Sequence, residues 1–304
     1  MSNKEGRHVP YRSQALDLLF PDTQAARVRD ITSFLETPSQ CPATQGLHRV
    51  TLFLTYGCNL ACPYCKTIVH APDDLLLAPQ KASVITLPLF TRLLDTLDPT
   101  RIAHLHFTGG EPTLCRELPA MIHMAKAAGV RACSLTSNGT LPWRIYEAII
   151  DAGVDEIRIS LDSWNPATGA VMSGRRHVWA KAVATIQALV AAQPLSPSFF
   201  LIANAVIADT NREEMAEIVA FLLALGVGDI RLLSVAAQKE TLWDFPGAPA
   251  HLARIREHLA PYPETRYPLL RTKLAPVVAK FSKEFGEATS KEMFAELERI
   301  RAKK

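Results

Sequence analysis

Three cysteines packed into one short loop constrain this chain more than any other feature. Residues 55–65, TYGCNLACPYC, set Cys58, Cys62 and Cys65 at C-x3-C-x2-C spacing directly after the apolar run 50–54. Three such thiolates suit three irons of a cubane [4Fe–4S] cluster, whose full protein ligation would take four cysteines. A fourth iron without a protein ligand stays open to a small molecule, as catalytic zinc sites keep an open position. The loop alone leaves two other readings standing: a zinc knuckle closed by His70, and three unrelated thiols.

Three further motifs follow, each closing a short apolar run: HFTGGEPTL at 106–114, TSNG at 136–139 and ISLDS at 159–163. In order and spacing, the four motifs resemble those of radical S-adenosylmethionine (SAM) enzymes, from about Val50 to Ala236. Within that family the chain most resembles the GTP cyclases of molybdenum-cofactor biosynthesis. The ISLDS run, the strand containing Asn204 and the helix start Asn211–Glu214 carry that likeness. Two departures point to another substrate. Thr51 and His106 stand where the cyclases set basic residues against a triphosphate, and residues 239–304 contain no cysteine for a second cluster.

From residue 50 the pattern alternates strand and helix. Strands are expected at 50–55, 102–108, 130–136, 156–161, 199–207 and 230–236. Helices are expected at 88–97, 118–128, 143–152, 177–192 and 212–225. Such alternation indicates a parallel sheet. Six units suggest a partial (β/α)6 barrel, which the resemblance also implies, with the motifs at the C-terminal strand ends where barrel active sites lie. The barrel is expected over 48–238, after a helical extension at 1–47 whose 13–35 stretch is broken by Pro21. Helices at 252–259, 269–285 and 290–303 form a C-terminal extension over 239–304.

With 304 residues, 48% of them hydrophobic, the chain can bury a full core. A net charge of +3 implies no polyanion partner, so no nucleic acid is expected. No apolar run reaches membrane-spanning length and residues 1–10 carry no signal-peptide core, so a cytoplasmic protein is expected. Six cysteines, three of them clustered, fit a reducing compartment better than a disulfide framework.

The resemblance implies that SAM binds the open iron. An electron from a donor such as flavodoxin or ferredoxin would cleave it to a 5′-deoxyadenosyl radical, which takes hydrogen from a substrate. A single cluster favours a small polar substrate (sugar, nucleoside or amino-acid-like) and epimerisation, elimination or rearrangement. Modification of a peptide is the enzymatic rival, and a zinc-binding module without catalysis is the reading of another class.

At Gly109 and Gly110 a Cβ would crowd the SAM methionyl group. Glu111 is the expected acceptor for its ammonium, and Tyr64 resembles the family's aromatic near the adenine. Ser137, Asn138 and Ser160 are expected toward the carboxylate or ribose, Asn204 toward the ribose, and the Ala236 backbone toward the adenine. Strand parity adds substrate residues. If Ser160 points into the barrel, Arg158 and Glu156 do too, and His104, His106 and Thr108 share one face of their strand, as Thr51, Phe53 and Thr55 do of theirs. His104, His106 and Arg158 are therefore expected to line the lumen and hold the substrate. Cys115 and Cys133 read as ordinary core thiols.

Overall fold

The computed structural model describes residues 49–65, 85–193, 199–235, 243 and 245–275. The N-terminal helices, His70, Ala236 and the helices expected beyond 275 lie outside them.

Six strands form one parallel sheet in sequence order. They are β1 (Arg49–Thr55), β2 (His104–Gly109), β3 (Ala132–Ser137), β4 (Glu156–Ser160), β5 (Phe200–Ile207) and β6 (Asp229–Ser234). Among the described residues they are accompanied by the α-helices α1 (Leu87–Leu97), α2 (Leu118–Ala127), α3 (Trp143–Asp151), α4 (Pro166–Ser173), α5 (Val178–Ala192), α6 (Met215–Leu225) and α7 (Ala248–Leu259). Neighbours in sequence pair in space and the order never reverses, so successive right-handed crossovers lay their helices on one face. That is the winding of an open, partial barrel rather than of a doubly wound sheet.

The two sheet faces differ chemically. Leu54, Phe107, Leu135, Ile159, Ala203 and Ile230 alternate onto the helix side, where Phe90, Met121, Ile149, Ile186 and Leu222 pack with them in one core. Most are wholly buried, and each large one contributes about 1.5–3 kcal/mol. Many of the intervening residues, among them Thr51, His106, Ser134, Arg158, Asn204 and Arg231, are polar and occupy the inner face, beside apolar ones such as Phe200 and Ile202. A parallel strand buried on both faces normally reads as continuously apolar. Polarity on the inner face is the first structural sign of a ligand.

Two elements differ from the expected pattern. The loop expected after β4 contains α4, signalled by a cap the apolar spacing does not show: Asn165 accepts from the Thr168 amide at 2.9 Å, and Pro166 opens the helix. Helix α7 starts at Ala248, not 252, because Pro249 is tolerated in a first turn.

A further helix begins at residue 268 and is capped from the sheet. Asp229, wholly buried, accepts from the amides of Leu269 at 2.8 Å, Ile230 at 2.7 Å and Leu270 at 3.4 Å. Asp229→Ala leaves these donors without an acceptor and should destabilise the fold by about 1–3 kcal/mol. Asp229→Asn, which keeps an acceptor oxygen, should lose less, and thermal melts of the two variants check the order. No helix among the described residues is long and apolar enough to cross a membrane.

Candidate active site

The cysteine loop is rooted where β1 and β2 end. Gly110 donates its amide to the Thr55 carbonyl at 2.6 Å, Glu111 to that of Gly57 at 2.9 Å, and Gly57 to Thr55 Oγ1 at 3.0 Å. This lacing explains the two glycines. A Cβ on Gly110 would lie 2.2 Å from the Gly57 carbonyl oxygen and 2.7 Å from that of Tyr56; one on Gly109, at φ +131°, would lie 2.3 Å from that of Thr55. Beside the expected crowding of the SAM methionyl group, the backbone of the cysteine loop itself demands glycine at both positions.

Glu111 also has a role beyond the one expected. It is buried, and its carboxylate accepts from the Thr113 amide at 3.0 Å, the Thr113 hydroxyl, Ser137 Oγ at 2.9 Å and the Asn138 amide at 2.7 Å. Burial raises its pKa while these four donors lower it. Three of these donors fall on Oε1 and one on Oε2, so the carboxylate is held within the turn. Ser137 is likewise turned inward: buried, it bonds Glu111 and lies 2.9 Å from the Tyr146 hydroxyl of α3. Glu111 and Ser137 thus brace the ends of β2 and β3.

Asn138 extends the brace to the cysteines. Its Nδ2 donates to Asn59 Oδ1 at 2.8 Å, while Asn59 Nδ2 donates to Thr140 Oγ1 at 2.8 Å. The Leu60 amide donates to Cys58 Sγ at 3.4 Å, an interaction that favours a thiolate. On the far side the Tyr64 hydroxyl donates to Asp162 at the end of β4. Asp162 also accepts from the Val206 amide of β5 at 2.7 Å, and burial lifts its pKa to about 6. Ala61 donates to the Ser173 carbonyl of α4 at 3.0 Å. Strand ends β1 to β5 and one helix thereby fix a loop that has no regular structure of its own.

Cys58 is exposed, and Cys62 and Cys65 half-buried. Burial pushes the Cys62 thiol up to about 12, with the Asp162 carboxylate adding to the effect, and raises Cys58 as well. Such thiols stay protonated until a metal displaces the proton. The zinc reading draws its fourth ligand from His70, which lies outside the described residues. Zinc needs its thiolates within about 2.3 Å of one centre, whereas a cubane takes each on a different iron, and three thiols on one loop suit three irons.

On the inner face the layers are in register. Ser160, Asn204 and Arg231 sit side by side near the strand ends. Asn204 is buried, and its Oδ1 has no hydrogen-bond partner among the described residues. An orphaned acceptor is costly unless something binds it, so the position fits a hydroxyl-bearing ligand such as the SAM ribose.

Two layers deeper, Ser134 joins the two histidines: its Oγ lies 2.6 Å from His104 Nε2 and 2.6 Å from His106 Nδ1. His106 Nε2 is 3.2 Å from Thr136 Oγ1. Burial first, then Arg158, Arg49, His104 and Arg231, holds the His106 pKa well below the imidazole range, so its ring is neutral. Parity places His104, His106 and Arg158 together on the inner face, but the expected direct hold of His104 and Arg158 on substrate needs correction. His104 is 0% and Arg158 1% exposed, and Glu156 engages the guanidinium through Nε and Nη2, each at 2.5 Å. They form the floor beneath the site. Ser134, Thr136, Asn59 and Asp162 went unassigned in the sequence; extending parity to β3 would have found the first two.

The Radical SAM superfamily model matches residues 52–222. The GTP 3′,8-cyclase of Synechococcus elongatus is 32% identical over 176 residues, 56% of this chain and 50% of that protein. A probable GTP 3′,8-cyclase of Sulfolobus acidocaldarius is 28% identical over 191 residues, 62% of this chain and 56% of that one. The chain thus spans about half the length of these curated relatives. Among solved structures, Streptococcus suis SuiB bound to S-adenosylmethionine matches with a TM-score of 0.52 at 14% identity, covering 71% of this chain and 47% of that one, a likeness of fold. With a family match across more than half its length and the cysteine loop seated on the strand ends, the chain belongs to the radical SAM superfamily.

Proposed function

We propose that this chain cleaves SAM reductively at a single [4Fe–4S] cluster held by Cys58, Cys62 and Cys65, and turns over a small polar molecule bound on the inner sheet face. When bound, cluster and SAM supply hydrogen-atom abstraction. The chain's own residues supply placement. Gly109, Gly110, Glu111, Ser137 and Asn138 fix the loop, Tyr64 ties it to β4 through Asp162, and Ser160 and Asn204 face the SAM ribose. His106 and Thr136 meet the substrate, above His104 and Arg158. A reductant such as flavodoxin or ferredoxin supplies the electron.

The observation that carries the substrate reading is the inner face itself, where half-buried Thr136, Ser160 and Arg231 stand among buried polar side chains. Buried polar groups are retained where they have partners to bind. The dithionite-reduced holoenzyme with SAM should form 5′-deoxyadenosine faster when given the low-molecular-mass fraction of a cell extract. Stimulation by the protein fraction instead would assign the chain to peptide or protein modification.

A further inference from the structure

Ser134 is wholly buried at the centre of β3 and has one hydrogen to give. It cannot donate to both imidazoles at once. If it donates to His104 Nε2 it must accept from His106 Nδ1, and His106 Nε2 is then a bare acceptor facing the Thr136 hydroxyl. If it donates to His106 Nδ1, the whole chain reverses and His106 Nε2 donates. Either pattern satisfies every atom of the contacts at 2.6, 2.6 and 3.2 Å. Thr136, half-buried near the C-terminal end of β3, is the outer terminus; His104, wholly buried, is the inner one.

We propose that His104, Ser134, His106 and Thr136 form a proton relay between the bound substrate and the sheet floor, so that the substrate is a hydroxyl-bearing molecule whose transformation needs a proton moved. The proposal rests on the reading of the inner face as the substrate site. In the accepting direction a substrate O–H proton passes to Thr136 Oγ1 and the Thr136 proton to His106 Nε2. The His106 Nδ1 proton passes to Ser134 Oγ and the Ser134 proton to His104 Nε2. Four bonds to hydrogen break and four form, no electrons are transferred, and the substrate loses the charge His104 gains. The groups facing His106 are Arg49 from β1, His104 on its own strand, Arg158 from β4 and Arg231 from β6. All disfavour a lasting positive charge on the ring, so the proton is passed on or returned rather than stored at His106. Thr136 and His106 touch the substrate; Ser134 and His104 act through them as positioning residues.

The test uses the full-length holoenzyme, labelled with ¹⁵N-histidine. In the wild type the ring N–H protons of His104 and His106 should exchange slowly with solvent, and the two rings should titrate as one coupled pair. Ser134→Ala should release both protons to fast exchange and uncouple the titrations, and Ser134→Thr, which keeps the hydroxyl, should restore them. Thr136→Val should lower extract-stimulated 5′-deoxyadenosine formation about 10²-fold, the lower end of what positioned acid–base groups contribute. An unchanged ring-proton pattern in Ser134→Ala, or wild-type stimulation in Thr136→Val, would overturn the relay. If no low-mass fraction stimulates the wild type, the substrate reading fails, while the spectra still decide whether the relay exists.

Discussion

A variant with Cys58, Cys62 and Cys65 all changed to alanine, reconstituted without oxygen, should hold no iron–sulfur cluster, while the wild type holds about four irons and is brown. The expectation follows from the loop's construction. Its three thiols are pinned by the ends of β1 to β5, and Leu60 already points an amide at Cys58 Sγ. Little else among the described residues competes. Cys115 and Cys133 are buried on the helix side of the sheet, and burial holds the Cys133 thiol up at about 12. A core thiol of that kind is an inert packing group. Iron analysis and the broad absorption near 400 nm read the outcome. Eight irons would mean that cysteines beyond the loop take part. Four irons in the triple variant would remove the loop from the site altogether.

Gly110→Val should be nearly as damaging, and for a reason the motif does not announce. The new Cβ would meet backbone, 2.2 Å from the Gly57 carbonyl oxygen, where no flexible side chain can give way. The turn and loop must separate, which breaks the bonds Gly110–Thr55 and Glu111–Gly57. Overpacking of this kind costs about 1–3 kcal/mol before those bonds are counted. The variant should therefore lose both cluster incorporation and SAM cleavage. Full iron content with SAM cleavage lost would restore the simpler view that the glycine only makes room for SAM.

Sequence reasoning recovers the frame of this site because its signals are local. Apolar runs of strand length, glycine stops such as Gly226 and the cysteine spacing are all set within a few residues. Parity extends that reach by one step and brings His104, His106 and Arg158 to one face. What it cannot supply is the partner across the sheet. The Ser134 hydroxyl between two imidazoles and the Ser137 and Asn138 donors to Glu111 come from another strand or its end, and parity puts Glu156 on the Arg158 face without showing that the two pair. These partners decide whether a polar side chain is offered to a ligand or spent inside the protein. Glu111 and Ser137 look like ligand-binding residues in the sequence and are braces in the structure. Asp162 looks like the end of a strand and is the anchor of Tyr64.

The most direct test of the central claim, that the cluster loop and the strand ends form one SAM-cleaving site, is the yield of 5′-deoxyadenosine. Reconstituted holoenzyme, SAM and dithionite are incubated without oxygen and the nucleoside is measured by mass spectrometry. The structure predicts that 5′-deoxyadenosine forms with the wild type and not with the triple cysteine variant. Protein carrying a full complement of four irons that leaves SAM intact under these conditions would contradict it.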